Sequence, residues 1–469
     1  MRNAGFLNQL KLWALVLTCL CVGVPLVQAK DSLDWQQEKN TVAAEITSWD
    51  LAELLENIAS VTGWQIYVEP DTKHPVSTKF KNRTPGDALR LLLGDLSFAL
   101  LPQKNAPSRL YVFRTTLQEA TQLVKVPQKP ATKVTKPIPD ELIITVKPGT
   151  DIEALAKKLG AKVIGKLDGL NTYRLKFEDA ESANEAKEQL RTDSSVESVE
   201  NNYPITRPEQ PDMLKAGAGS PINLTPKVVP DANRIVVALI DTAVQPKGTG
   251  LDGFFLAPIS VNGDFQPGAD EPTHGTSMSE AIARGMTASM DGKPESKVRF
   301  LSVDVYGRNP TTSTFEVGQG ILEALKYNPS IINMSLGSYA DSPMLQTIIE
   351  SAHKQNVLFF ASAGNDPVPN PTFPAAFPDV IAVTAADPVS SDRNSFRLAP
   401  YANYGSFVDV FAPGRYIVNF NNRSWMVTGT SGSSAYMAGI AAGMLDSGGR
   451  TSSQVEAVIR SSFRFNSPR

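Results

Sequence analysis

In the second half of the chain, short continuous apolar runs alternate with stretches whose apolar positions recur every three to four residues. Residues 234–240, 298–303, 331–336, 357–361 and 380–384 are runs of the fully buried strand type. Between them, 315–327 and 345–355 carry a helical period. Strands alternating with helices over 232–469 predict an α/β fold: a doubly wound, mostly parallel sheet with helices on both faces. In such sheets the functional groups gather at the carboxyl ends of the strands.

Two smaller α+β units precede this region. In 41–114, Leu51, Leu54, Leu55 and Ile58 share a helical face and Gly63 supplies a stop. A strand is predicted at 65–68. Thr84-Pro85 opens a second helix through Leu89 to Leu93, and 109–113 is a closing strand. The expected order is strand–helix–strand–strand–helix–strand. In 141–206, strands at 141–146, 172–177 and 196–199 and helices at 152–159 and 183–190 form a ferredoxin-like order. Between the two units, 115–140 reads as a linker. Pro127, Pro130, Pro137 and Pro139 interleave there with Lys125, Lys129, Lys133 and Lys136, a stiff and solvated spacer.

The first 29 residues have the form of an export leader. Arg2 and Lys11 precede an apolar run over 12–27, and Val27-Gln28-Ala29 places small residues at cleavage offsets. That run is short for a membrane span, although retention as an anchor stays open. Cys19 and Cys21 both lie inside it, so a cleaved chain has no cysteine and no disulfide. No later stretch is apolar enough to span a membrane. The 469 residues carry 45 basic and 48 acidic side chains, a balance that argues against nucleic acid as the partner. The three histidines, His74, His274 and His353, form no Cys/His cluster of zinc type. His74 and His353 read as structural. Met437 and Met444 read as core, and Asp264 and Asp270 as solvated loop acids.

Three segments carry candidate chemistry. Val237-Ala238-Leu239-Ile240-Asp241-Thr242-Ala243 ends a buried strand in an acid, which is costly without a partner. Thr273-His274-Gly275-Thr276 opens a helical stretch, and Gly429-Thr430-Ser431-Gly432 opens a helix of small residues. A serine hydroxyl needs a base to take its proton, and imidazole is suited to that. The imidazole in turn needs an acid to fix its tautomer. A fourth segment, Ala361-Ser362-Ala363-Gly364-Asn365, offers an amide at a strand end as a donor to an oxyanion.

These segments, in the order Asp…His…Ser, resemble the subtilisin-like serine proteases, the subtilases or peptidase family S8. Ile332-Asn333-Met334-Ser335-Leu336-Gly337, Phe373-Pro374-Ala375, Tyr401 to Gly405 and Asp409 to Gly414 match further family blocks. The resemblance spans about residues 232–450. It implies that Ser431 is the nucleophile, His274 the general base and acid, Asp241 its orienter, and Asn365 the oxyanion donor. Ser335, Leu336, Gly337, Ala363 and Gly364 would flank an extended substrate, with room for an apolar side chain before the scissile bond. Residues 141–206 resemble the propeptides of that family, with Val196 to Tyr203 as the closing strand and exit. Ile46 to Leu51 and Gly63 to Ile66 resemble the short N-terminal domain of secretins and TonB-dependent receptors.

The implied protein is an exported serine endopeptidase, periplasmic or secreted, made as a zymogen that cuts itself between about Thr206 and Pro230. Its implied partners are a polypeptide substrate, its own propeptide and an envelope protein bound through 41–114. Departures from the family pattern motivate an alternative, a non-catalytic binding or regulatory protein on the same scaffold. Ala243 stands where the family has glycine and would strain a turn of positive φ. Ser277 to Glu280 replace the usual residues after the histidine, and Ala435 and Tyr436 replace proline and histidine after the serine. The 287–293 loop lacks the form of the family's tight calcium loop, so that calcium site is not predicted; no cofactor is certain, and structural calcium stays open.

Overall fold

The structure, a computed structural model, describes residues 31–36, 39–102, 107–124, 133–208, 212–213, 222–263, 265–290, 292–389 and 392–465. The expected leader with both cysteines, and Asp264, lie outside the described residues. Among those described, no helix is long and apolar enough to cross a membrane. The chain divides into two compact units, Met1–Ala131 and Thr132–Arg469.

In the first unit, helix α1 (Leu51–Thr62) starts where the Asp50 side chain accepts the Glu53 N–H, and ends at Gly63 in the left-handed region at φ 71°. Thr84 caps α2 (Pro85–Leu93), with proline in its first turn. Leu54, Leu55 and Ile58 of α1 share one core with Leu89, Leu92 and Leu93 of α2. Thr41–Trp49 lies between Ser32–Gln36 and Val76–Arg83 in an antiparallel sheet. A second sheet runs Ser97–Leu101, Arg109–Phe113, Gln65–Val68, Gln122–Leu123. Two of its strands depart from expectation. Ser97–Leu101 lacks apolar–polar alternation, which hid it. Gln122–Leu123, expected in the linker, pairs with Val68 and Tyr67 instead.

In the second unit, strands Glu141–Val146, Lys162–Leu167, Thr172–Lys176 and Val196–Asn201 alternate with α3 (Ile152–Lys158) and α4 (Ala180–Leu190). The sheet order is Val196–Asn201, Glu141–Val146, Thr172–Lys176, Lys162–Leu167, antiparallel throughout. Lys162–Leu167 was not expected. It is an edge strand whose Lys162, Ile164 and Lys166 face solvent, so its burial signal is weak.

The large sheet runs Ile259–Ser260, Val298–Asp304, Ile235–Asp241, Ile331–Met334, Leu358–Ser362, Val380–Val389, with Asp392–Leu398 antiparallel at the edge. Val410–Pro413 adds to Val380–Val389 in parallel. Along Ile235–Asp241 alternate residues enter opposite cores. Val237 and Leu239 pack with α5 (His274–Ser289), α8 (Thr430–Asp446) and α9 (Ser452–Ser462). Val236, Ala238 and Ile240 pack with α6 (Thr314–Leu325) and α7 (Pro343–His353). Helices therefore cover both faces, as the sequence pattern predicts.

Helices α5 and α8 meet backbone to backbone. A Cβ on Gly439 would lie 2.0 Å from the Ile282 carbonyl oxygen, and one on Gly285 2.1 Å from that of Tyr436. Neither neighbour is a flexible tip, so a methyl here must push the helices apart. Gly439→Ala is expected to cost about 2 kcal/mol and to lower the melting temperature by roughly 4–8 °C. An unchanged melting curve in scanning calorimetry would contradict this contact.

Candidate active site

Asp241 is the last residue of its strand and is 1% exposed. His274 is the first residue of α5 and is 4% exposed. The Nδ1 of His274 stands 2.9 Å from Asp241 Oδ1 and 3.0 Å from Oδ2. The Thr242 N–H also donates to Asp241 Oδ1 at 2.6 Å. A buried carboxylate is stable only with such partners, and here it fixes the imidazole with Nδ1 as the donor. The start of α5 is pinned by Thr273, whose hydroxyl takes the Thr276 N–H and donates to the Ala243 carbonyl at 2.6 Å. Thr242 Oγ1 accepts the Gly275 N–H at 2.9 Å. Ala243 is not among the residues of positive φ, so the strain anticipated from its side chain does not arise.

Ser431 lies in the first turn of α8, half-buried. Its hydroxyl donates to the Ser335 carbonyl at 3.3 Å, and the Ser335 hydroxyl donates back to the Ser431 carbonyl at 3.0 Å. No hydrogen bond joins Ser431 to His274 among the described residues. Asn365 is exposed just beyond Leu358–Ser362. Its Oδ1 takes the Thr430 N–H at 2.9 Å and the Thr430 hydroxyl at 3.0 Å. Its Nδ2 is the end turned toward Gly429, where an added Cβ would meet it at 2.9 Å. The amide N–H₂ thus faces the residues that begin α8. Thr430 was not singled out from the sequence, although it sits within the quoted motif. It is buried and also accepts the Gly364 N–H at 3.0 Å, so it clasps the two loops together.

Ser335, Leu336 and Gly337 follow Ile331–Met334, and Ala363 and Gly364 follow the adjacent Leu358–Ser362. Asn333 holds the first segment. Its amide donates to Ser335 Oγ at 2.9 Å and its oxygen accepts from Ser434 of α8 at 2.8 Å. Asn403, fully buried, holds the second. Its Oδ1 accepts the N–H groups of Asp366 at 2.8 Å and Val368 at 3.4 Å. Gly364 is required there, because it has φ 104° and a Cβ would come within 2.5 Å of Asn403 Nδ2.

A second buried acid, Asp304, pairs in register with Asp241 on the neighbouring strand. Burial raises its pKa, against the N–H groups of Gly307 and Tyr306 that it accepts, and the charge of Asp241 adds to the rise. Of the residues read as structural, His74 Nε2 lies 3.3 Å from the Leu92 carbonyl. His353 lies between Asp379 and Glu456, 3.2 Å from each. Met437 is core, with Met444 packed against the same cluster. Asp270 is exposed. The described residues hold no group of three His, Cys, Asp or Glu able to bind a metal ion.

Residues 232–466 match the model of the Subtilase family, which is half of the chain. This chain belongs to the subtilase family. Residues 123–202 match the Fervidolysin N-terminal prodomain. The thermophilic serine proteinase of Bacillus sp. (strain AK1) is 32% identical over 228 residues, covering 48% of this chain and 55% of that protein. Thermitase of Thermoactinomyces vulgaris is 30% identical over 228 residues, covering 48% of this chain and 78% of the relative. This chain therefore spans little more than half the length of the first relative. The crystal structure of fervidolysin from Fervidobacterium pennivorans, described as a keratinolytic enzyme related to subtilisin, aligns at TM-score 0.49 and 19% identity, over 66% of this chain and 55% of that one.

Removing the Asn403 side chain leaves the N–H groups of Asp366 and Val368 without their acceptor. Asn403→Ala is expected to destabilise the subtilase domain by about 1–3 kcal/mol. Amide exchange should quicken first at residues 364–368. Exchange unchanged there would show that the loop holds itself.

Proposed function

We propose that this subtilase is a serine endopeptidase made as a zymogen, working through Asp241, His274, Ser431 and Asn365. The observation that carries this reading is the buried Asp241–His274 pair, with both carboxylate oxygens within 3.0 Å of Nδ1, at the start of a helix packed against α8, whose first turn holds Ser431. With Nδ1 protonated toward Asp241, Nε2 is left as the acceptor. The mechanism requires the Ser431 hydroxyl to leave the Ser335 carbonyl and donate to that nitrogen instead. Oγ then attacks the peptide carbonyl carbon and its proton passes to Nε2. The Asn365 N–H₂ donates to the developing oxyanion, a contribution of about 2.7–4 kcal/mol where such donors have been removed. Collapse breaks the C–N bond, and Nε2 returns the proton to the leaving amine. Water, deprotonated by the same nitrogen, frees the acyl group from Ser431.

Residues 141–206 serve in this reading as the inhibitory prodomain. Their docking supports it. Glu200 takes the Ser342 hydroxyl at 2.6 Å and the Met344 N–H at 2.8 Å, capping α7. Asn202 takes the Thr314 hydroxyl at 3.0 Å and the Phe315 N–H at 3.2 Å, at the start of α6. Pro204–Thr206 then pairs antiparallel with Thr311–Ser313. Cleavage would fall between about Thr206 and Pro230. Export through the leader, to periplasm or medium, and an envelope partner for 41–114, in keeping with its secretin-like resemblance, complete the proposal.

The deciding experiment is expression of the full chain beside Ser431→Ala, with intact-mass analysis and labelling by a fluorophosphonate. Wild type is expected to yield a shorter, labelled form, and the variant to stay full length and unlabelled. No labelling of the wild type before or after removal of the prodomain would favour the non-catalytic scaffold instead.

The docked Glu200 has a raised pKa because burial outweighs the hydrogen bonds from Ser342 and Met344. A raised value means that the docked chain holds a proton the undocked chain has released. Docking is therefore strongest at and below the ordinary glutamate range and weakens as pH climbs through the raised value. In the Ser431→Ala background, Glu200→Gln should flatten this part of the pH dependence of melting. Parallel curves for the two proteins would remove Glu200 from the linkage.

A further inference from the structure

A second acid stands beside the Asp241–His274 pair. Asp304 ends the strand Val298–Asp304 as Asp241 ends Ile235–Asp241, and the two are paired in parallel register. Adjacent strands lie about 4.8 Å apart, and residues in register project from the same face of the sheet. Packing identifies that face. Val298 and Phe300 share the core of α5 and α8 with Val237 and Leu239. Alternation then carries Ser302 and Asp304, like Asp241, to the side on which α5 begins with His274.

Asp304 is 3% exposed. Its Oδ1 accepts the N–H groups of Tyr306 at 3.0 Å and Gly307 at 2.9 Å, which fixes the carboxylate at the turn after the strand. Its Oδ2 is buried and has no hydrogen-bond partner among the described residues, and neither has Ser302 Oγ on the same face. A carboxylate held this way is poorly screened, so its neighbours feel its charge. Burial is the largest influence on its pKa and raises it. The N–H groups of Gly307 and Tyr306 and the charge of Arg207 lower it, and the charge of Asp241 raises it. The charged or titratable groups that face Asp304 are therefore Asp241 with His274 bonded to it, Tyr306, and Arg207, whose guanidinium lies 5.5 Å from the Tyr306 ring centre. Ser260, in register on its other side, brings no charge.

We propose that Asp304 is a positioning residue for the reaction: its negative charge, beside Asp241, steadies the imidazolium that His274 becomes on taking the serine proton, and so sets the acid limit of activity. The proposal rests on the protease reading above. Asp304 touches no substrate and acts through the pair. Asp241 holds the ring by a hydrogen bond, whereas Asp304 adds charge without a bond, at a range over which a buried field still acts. A negative charge favours the protonated ring, so the ring sheds its proton, and becomes a base, at a higher pH than it would without Asp304. Removing the charge therefore moves the acid limb of activity to lower pH.

The test follows the rate of Ser431 labelling by a fluorophosphonate across pH, in processed enzyme. Asp304→Asn keeps an oxygen for the Tyr306 and Gly307 N–H groups and removes the charge. Its acid limb should fall by about half to one pH unit. One unit below the wild-type midpoint, its labelling, relative to its own plateau, should be roughly threefold to fivefold faster. Asp304→Glu, which keeps a charge, should bring the limb back toward that of wild type. Ser302→Ala, which removes the neighbouring unpartnered hydroxyl and no charge, should leave it in place. Arg207 is unchanged in every protein compared. Should Asp304→Asn fail to fold, Asp304→Ser offers a hydroxyl to the same N–H groups and takes its place. In the wild type, the Asp304 carboxyl carbon followed by NMR should show an inflection at the pH of the labelling limb. An unmoved or raised limb in the neutral variants, a limb moved as far by Ser302→Ala, or the absence of that inflection overturns the proposal and leaves the protease reading standing. No labelling of the wild type, before or after removal of the prodomain, overturns both.

Discussion

The site depends on how closely α5 and α8 approach. His274 begins one helix and Ser431 lies in the first turn of the other. Their separation follows from the crossing at Gly285 and Gly439, where backbone touches backbone. Side chains at that crossing would hold the helices further apart and carry Ser431 away from the imidazole. The same constraint explains the composition of α8. It is covered by the sheet, α5 and α9, so it has no broad charged face and is rich in the small residues glycine, alanine and serine. Asp241 enters from a third direction, as the end of a strand buried on both faces. Three rigid elements therefore fix the three groups, and loops supply only their caps.

The sheet and the helices beside it were legible because buried parallel strands are continuous apolar runs and their helices keep a clean period. The four candidate residues stand out in the sequence because each lies at, or within three residues of, the end or start of such an element in a short motif. What was not legible has physical reasons. Lys162–Leu167 is an edge strand whose alternate residues Lys162, Ile164 and Lys166 face solvent, so it has no continuous buried run to read. Gln122–Leu123 is two residues long and gains its identity only by pairing with Gln65–Val68. The harmlessness of Ala243 depends on a backbone angle that no residue type declares. Thr430, Asn333 and Asn403 act on partners 65, 101 and 37 residues away, distances at which sequence has no periodicity to read.

The contact between residues 141–206 and the subtilase domain has two parts of different chemistry. Its centre is apolar: Ile143, Leu167 and Ile205 share a core with Phe315 of α6. Its margin is polar and uses the N-terminal ends of α6 and α7, through Asn202 and Glu200. The first N–H groups of a helix have no partner within it, so an oxygen supplied from outside satisfies a standing need. Water can take that place after release, which keeps the penalty of separation low at the margin. Arg174 lies over the Phe315 ring, 5.1 Å from its centre, and pairs with Glu316 and Glu141. Two caps on two helices can form together only when α6 and α7 already lie side by side. The docking energy is thus available to the folded arrangement of α6 and α7 alone.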